Sequence, residues 1–483
     1  MLALSELETI IGVEVHARLL TRTKLFCRCG TQPSAPNTRV CPVCAGLPGA
    51  LPSLNEAAVA MGVRAGLALG CTINATSRFD RKSYFYPDLP KGFQCTQYAV
   101  PLCERGRLEL EASARDGAAS RRSVGIRRIH LEEDAAKSVH EAASGRSLID
   151  FNRAGAPLIE IVSEPDLRSS SEASAYLRAL RSALMFIGVN DGNLEDGSFR
   201  CDVNVSVRPR GSDALGARCE LKNINSFRFV ARAIEVESRK QREALSRGER
   251  VRQCTKQYNA ERDDTVVLRE KGEAEDYRYF AEPDLPPLVL PEGMIARERA
   301  RVGELPWDKR ARYQRDCGVS LESADTLVEH PALARYFERS IALGATPVRA
   351  ANFIVNELRR EVRYSGVEAS FPIDEARLVE LLALVDEGAL SLKLAKDVYR
   401  RMVSDRVNAS AVIDALGLSV IDDDARIEAV CVGVIRDNPR QADSFRAGKK
   451  GILGFLVGAV MKATDGRASP EKVNATLIRL LER

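Results

Sequence analysis

Near the N-terminus apolar and polar residues alternate, as in Ile11-Gly12-Val13-Glu14-Val15-His16-Ala17-Arg18. That period of two predicts a strand with one dry and one wet face. The same alternation returns in Arg128–Asp134, Cys201–Arg208 and Cys219–Asn223, so residues up to about 290 read as strands, turns and a few helices. Helical spacing interrupts it at Leu54–Ala68 and at Ser171–Ile187, where a run of serines offers an N-cap. A third helix, Phe229–Leu245, carries Glu and Arg at spacings that predict solvent exposure. Pro283, Pro286, Pro287 and Pro291 then punctuate the chain, a density that marks a boundary. Beyond them the period is helical, in Ala332–Leu343, Ala350–Arg363 and Asp374–Val385, and a weaker break near Ser404–Ala409 precedes an all-helical tail. Strands followed by helices predict an α+β chain.

Charge changes this picture little. Among 483 residues, 71 basic against 67 acidic side chains leave +4, so any RNA-binding surface must be local. The N-terminus has Glu6 and Glu8 and no basic flank, unlike a signal peptide. The most apolar segment, Ile452–Met461, is broken by Gly454 and Gly458, expected to permit close helix packing, and is short of the roughly 20 residues a membrane span needs. A cytoplasmic protein with reduced thiols is expected.

Cysteine placement adds chemistry. Cys27-Arg28-Cys29 and Cys41-Pro42-Val43-Cys44 form two close pairs separated by eleven residues rich in turns. Two such pairs supply the tetrahedral thiolate set that structural zinc favours, and four sulfurs leave no open position for catalysis. The other eight cysteines are scattered and read as small buried hydrophobes.

The wet faces are unusual. Alternation groups Glu14 with His16; His130 with Glu132 and Asp134; Asp202 with Asn204, Ser206 and Arg208; and Glu220 with Lys222. A turn after Glu132 could re-aim Glu133. Converging carboxylates repel unless a cation intervenes, and magnesium takes oxygen ligands. The bland alternative is a solvated sheet face. No P-loop and no GxGxxG turn is present. Two runs, Phe79–Lys91 and Asp276–Phe280, mix aromatic and charged residues; their rings can stack a base or ribose, or simply pack a turn.

Taken together, Ile11–His16, Phe79–Lys91, Arg128–Asp134, Pro157–Asp166, Arg200–Asn204, Glu220–Ser226 and Asp276–Pro287 resemble the B subunits of tRNA-dependent amidotransferases, in that family's order and spacing. The segment from Gly448 to Thr464 resembles the YqeY-like domain that closes the same family. The resemblance implies a cradle built on a twisted antiparallel sheet over residues 1–292 with a zinc insert at 27–44, a helical domain at 293–408 and a YqeY-like tail at 409–483. It implies phosphorylation of the side-chain carboxylate of Glu-tRNA(Gln) or Asp-tRNA(Asn) with Mg-ATP. Ammonia from a partner amidase A subunit, in a complex with a small C subunit, then yields the amide. It places Glu14, His16, Glu133 and Glu220 at magnesium and phosphate. Glu132, Glu195 and Asp202 hold a second ion or the substrate, and Lys82, Tyr84, Arg200, Lys222 and Asn223 line the substrate pocket. Ala136 stands where the family commonly has Gly, so the backbone there cannot need a glycine-only conformation.

From Arg426 to Arg483 eleven Lys/Arg outweigh six Asp/Glu, and Arg446, Lys449 and Lys450 fall together, a candidate tRNA-backbone contact. A non-catalytic zinc-containing RNA-binding adaptor would explain the cysteines and the tail, but not the acidic faces. No Gly/Ser-rich amidase signature is present, so the chain alone is expected not to hydrolyse glutamine.

Overall fold

The alternating segments form one large sheet. The computed structural model describes residues 4–110, 122–141, 145–224, 226–270, 277–416, 423–464, 468 and 470–482. Its long strands are β1 (Leu7–Arg18), β2 (Thr76–Ser83), β3 (Phe93–Val100), β4 (Cys103–Leu110), β5 (Arg122–Glu133), β6 (Pro157–Ser163), β7 (Phe199–Pro209), β8 (Cys219–Ile224), β9 (Cys254–Asn259) and β10 (Asp264–Glu270). With three two-residue strands they make a thirteen-stranded sheet among the described residues. The order across it is β10-β9-β8-β7-β1-β6-β5-β3-β2, with β4 paired to β5. The recorded pairings are antiparallel except one: β8 and β9 run parallel, joined by helix α3 described below. Parallel neighbours need such a crossover, so the expected antiparallel sheet carries one βαβ unit.

Three helices cover the dry face: α1 (Glu56–Ala68), α2 (Ser170–Phe186) and α3 (Phe227–Ser246). Asn55, Ser169 and Ser226 cap them by accepting from Ala57, Glu172 and Phe229 N–H groups, satisfying donors that a helix start leaves orphaned. Val13, Val15, Ile129, Leu131, Ile159, Ile161 and Val203 from the strands share a core with Val63, Tyr176, Leu180 and Ile234 from the helices. Gly66 lets α1 sit close: a Cβ there would lie 2.5 Å from Cys103 Sγ. The expectation of a solvent-exposed third helix needs correcting. Val230, Ala233, Ile234 and Val236 are buried, and so are the polar Glu237 and Gln241.

The chain divides into two compact units. One holds Met1–Ala311 with Val328–Pro331 and Gly366–Glu368, and so contains the sheet. The other holds Arg312–Leu327, Ala332–Ser365 and Ala369–Arg483 and is built mainly of helices, among them Pro331–Ala342, Pro347–Asn356, Glu375–Asp386 and Leu392–Asp405. The helix expected over Ala350–Arg363 ends at Asn356 and continues as a 3-10 turn, Leu358–Glu361, that keeps Leu358 buried. In the tail, Ile427, Cys431, Leu456, Val460, Val473 and Leu477 form a separate core. Gly454 and Gly458 do not mark a close helix contact, because a Cβ at either would meet nothing within 4 Å. No helix among the described residues is long and apolar enough to cross a membrane. Of the eight scattered cysteines, six are buried and Cys71 and Cys317 half-buried, as expected of small hydrophobes.

Candidate active site on the polar face of the sheet

Register brings four strands' polar side chains into one row. His16 on β1 pairs with Arg200 on β7 and with Glu160 on β6, and Glu160 in turn pairs with His130 on β5. One ligand atom from each of Glu14, His16 and Glu160 lies within 4.8 Å of the others, and the same holds for His130, Glu132 and Glu160. Glu160 thus belongs to both groups. His16 Nε2 stands 3.1 Å from Glu14 Oε1, while His130 Nε2 stands 3.4 Å from Glu160 Oε2 and 3.7 Å from Glu132 Oε2. Arg128 reaches Glu160 at 4.0 Å.

Burial penalises every charge here, and opposite charges outweigh it. Burial opposes the imidazolium of His16, yet the hydrogen bond to Glu14 and the charge of Glu160 raise its pKa to about 9. Burial likewise opposes ionisation of Glu160, and His130 nonetheless lowers its pKa to about 2. Glu14 and Glu132 are lowered too, against their burial, by His16 and by Lys82 and His130 respectively. Lys82 is raised despite burial because Glu132 and Glu160 face it. The face is therefore a compact array of carboxylates balanced by imidazoliums and one lysine. Carboxylate oxygens suit a hard divalent cation, and the imidazole of His16 would have to release a proton to join them.

The other predicted residues fall in distinct places. Glu133 belongs to neither group: alternation turns it away from His130 and Glu132, and its carboxylate pairs with Lys91 and accepts from the Cys95 N–H at 2.9 Å. The expected set of Glu14, His16, Glu133 and Glu220 is thus not one cluster, because no turn re-aims Glu133. Asp202 and Glu220 share Lys222, whose Nζ is 2.9 Å from one and 3.2 Å from the other, and Thr255 donates to Glu220 at 3.1 Å. Arg200 pairs with Asp134 at 3.0 Å. Tyr84 donates to Gln94 Oε1 at 3.0 Å, and Gln94 donates to Glu132 at 2.5 Å. Glu195 is exposed on the turn organised by Asn193, away from any described cluster of metal-ligand type. The side chain of Asn223 and the whole of Asp276 lie outside the described residues. Ala136 is buried with no positive φ, so the departure from glycine costs nothing. Arg446 pairs with Asp443 at 3.3 Å, and Lys449 and Lys450 are exposed beside it.

Glu160 and His130 were not among the predicted ligands. A signal for Glu160 existed: it is the lone carboxylate inside Pro157-Leu158-Ile159-Glu160-Ile161-Val162, and an unpaired charge in a buried apolar strand is costly.

A second constellation lies at the cysteine corner. Cys27, Cys29, Cys41 and Cys44 offer four sulfurs within 4.8 Å of one another, and Cys41 and Cys44 Sγ are 3.9 Å apart. A tetrahedron with metal–sulfur bonds of ~2.3 Å has edges of about 3.8 Å. The Cys44 thiol is lowered to about 4, through its hydrogen bond with Cys27 and, beyond burial, through the Cys41 backbone and the Lys24 ammonium at 3.3 Å. Lys24 itself is fully buried, and its other partner is the Phe151 carbonyl at 3.2 Å. The corner can hold a metal. It adjoins the sheet end: at Gly155 (φ +82°) a Cβ would stand 3.5 Å from Cys44 Cβ and 3.8 Å from Glu133 Oε2.

Comparison with known proteins decides what this geometry belongs to. Residues 9–296 match the family model described as the GatB/GatE catalytic domain, and residues 335–481 match the GatB domain model that includes the YqeY-like tail. The chain is 48% identical over 485 residues to the B subunit of the aspartyl/glutamyl-tRNA(Asn/Gln) amidotransferase from Anaeromyxobacter dehalogenans, covering 99% of both. It belongs to that family of B subunits. Relatives of the same name from Thermodesulfovibrio yellowstonii and Nitratidesulfovibrio vulgaris are each 46% identical, over 98% and 97% of this chain and 99% and 98% of their own. The catalytic-domain match contains the whole row from His130 to Arg200, and the second match contains the basic tail cluster. Full-length similarity to amidotransferase subunits does not favour the RNA-binding adaptor alternative.

Proposed function

We propose that the polar face is where this amidotransferase subunit phosphorylates the side-chain carboxylate of Glu-tRNA(Gln), Asp-tRNA(Asn) or both, using Mg-ATP. The observation that carries this reading is the convergence of Glu14, His16, Glu160, His130 and Glu132 from three adjacent strands. A carboxylate is a poor acyl donor; its oxygen attacks the γ-phosphorus, ADP leaves, and the acyl phosphate so formed loses phosphate to ammonia. Magnesium, when bound, neutralises charge on the transferring group. Glu14, His16 and Glu160 would hold it, with Glu132 and His130 alongside. Glu133, Asp202 and Glu220 keep proposed places at the flanks, for phosphate or a second ion. Lys82 offers a cation within the field of Glu132 and Glu160, and Tyr84, Arg200, Lys222 and Asn223 keep the substrate-binding roles that the resemblance implies.

In the same reading the cysteine corner carries structural zinc, and ammonia comes from an amidase A subunit in a cytoplasmic complex with a small C subunit. Residues 1–292, 293–408 and 409–483 act as cradle, helical domain and tail, with Arg446, Lys449 and Lys450 contacting tRNA phosphates. The test is the reconstituted complex with mischarged tRNA, labelled ATP and glutamine. Glu14→Ala, Glu133→Ala and Glu220→Ala are expected to lose phosphorylation of the aminoacyl group; unchanged turnover in all three would overturn the assignment.

A further inference from the structure

The two aromatic-basic runs, Phe79–Lys91 and the part of Asp276–Phe280 that is described, meet in space. Phe280 pairs with Arg81, and the Ser83 N–H donates to the Tyr277 carbonyl at 2.8 Å. Their tyrosines join into a string. Tyr86 contacts Tyr84 and Tyr84 contacts Tyr277, both with centroids 6.0 Å apart. Tyr277 contacts Tyr279 at 5.9 Å, and Tyr279 lies flat on Tyr98 at 4.0 Å with planes 10° apart. Rings that merely fill a core are buried, whereas the two ends of this string are open: Tyr86 is 61% exposed and Tyr98 50%.

The string also borders the polar face. Lys82 Nζ stands 5.2 Å from the Tyr277 ring centre. The Arg128 guanidinium lies 5.7 Å over Tyr98 while its Nη2 is 4.0 Å from Glu160. One side chain therefore spans from the outer ring to the proposed phosphorylation site.

We propose that this tyrosine string is a stacking platform for the 3′-terminal base of the RNA that carries the amino acid. The proposal rests on the reading above that the substrate is an aminoacyl-tRNA. That amino acid is esterified to the terminal ribose, so the terminal base must lie within one nucleotide of the carboxylate being phosphorylated. Flat aromatic faces accept a splayed-out base, and flanking lysine and arginine suit the adjoining phosphate. An adenine ring of ATP has the same stacking chemistry, and the test separates the two sources.

The experiment uses the complete complex and measures tRNA affinity by fluorescence anisotropy and, separately, the KM for ATP. Tyr86→Ala and Tyr98→Ala are expected to weaken tRNA binding about tenfold, leave the KM for ATP within about twofold, and leave the melting temperature unchanged. Tyr98→Phe is expected to bind as the parent does. tRNA with an abasic 3′-terminal nucleotide is expected to lose the same factor on the unaltered complex and nothing further on the variants. This last arm does not depend on any variant folding. Equal binding of intact and abasic tRNA, or a rise in the KM for ATP in place of the tRNA effect, would overturn the platform. Tight, base-dependent tRNA binding without amide formation would instead count against the functional reading.

Discussion

Two buried charged clusters share this sheet, and they are built differently. On the dry side Glu237 of α3 is satisfied at every turn. Lys256 Nζ contacts both its oxygens at 2.9 Å, Gln241 donates at 2.9 Å and Thr265 at 2.8 Å. On the polar face Glu160 is equally buried, but its ion-pair partners His130 and Arg128 stand at 3.4 and 4.0 Å. Contacts of that length are beyond good hydrogen bonds. The first cluster is a staple whose oxygens are used up. The second leaves Glu160 without a short contact from His130 or Arg128, so its oxygens can still turn to a ligand. Composition does not distinguish them; the length of the contacts does.

Breaking each cluster should therefore have opposite signatures. Glu160→Gln is expected to reduce amide formation by about a hundred- to a thousandfold, as loss of a charge-stabilising group does, with a smaller fall in melting temperature than Glu237→Ala because the amide keeps the side chain's volume. Turnover and thermal unfolding on the same preparation check this. Glu237→Ala is expected to cost about 3–5 kcal/mol of stability, because it strands the Lys256 ammonium, with turnover per folded molecule unchanged; urea unfolding measures it. On the proposed zinc reading, Cys44→Ser is expected to lower the metal content of the protein and its unfolding temperature, with a smaller fall in turnover. Metal content by mass spectrometry and calorimetry check both parts.

A smaller effect sharpens the staple. Burial opposes ionisation of Glu237, yet the Gln241 hydrogen bond and Lys256 hold its pKa below the usual 4.5. A depressed folded-state pKa gives stability that is fully present above the unfolded value and lost as pH falls through the folded one. The stability of the parent should thus fall as pH drops below the ordinary carboxylate value of 4.5, and Glu237→Gln should flatten that part of the curve. An unchanged slope would remove Glu237 from the acid response.

Much of this was legible in the residues, for physical reasons that also mark the limit. Glu14 and His16 could be placed on one face because Val13 and Val15 alternate with them. Glu160 could not, since β6 is buried along nearly its whole length and shows no alternation to say which way a side chain points. Glu133 was placed with the ligands by the resemblance, and the strand keeps its alternation up to Glu133, its last residue, which turns that side chain away from Glu132. The parallel pairing of Cys219 with Cys254 depends on which edge α3 returns to, a tertiary choice that local pattern does not carry. Buried Glu237 hid in a helix whose charges otherwise read as solvated.

The proposed chemistry requires Glu14, His16 and Glu160 to bind the divalent cation together. Titration of the reconstituted complex with Mn2+ tests this directly, with bound ion read by electron paramagnetic resonance for the parent and for Glu160→Gln. Affinity is expected to fall about tenfold or more, the range seen when groups that support a metal site are removed, while secondary structure holds. Unchanged Mn2+ affinity in a folded Glu160→Gln complex would contradict the shared site.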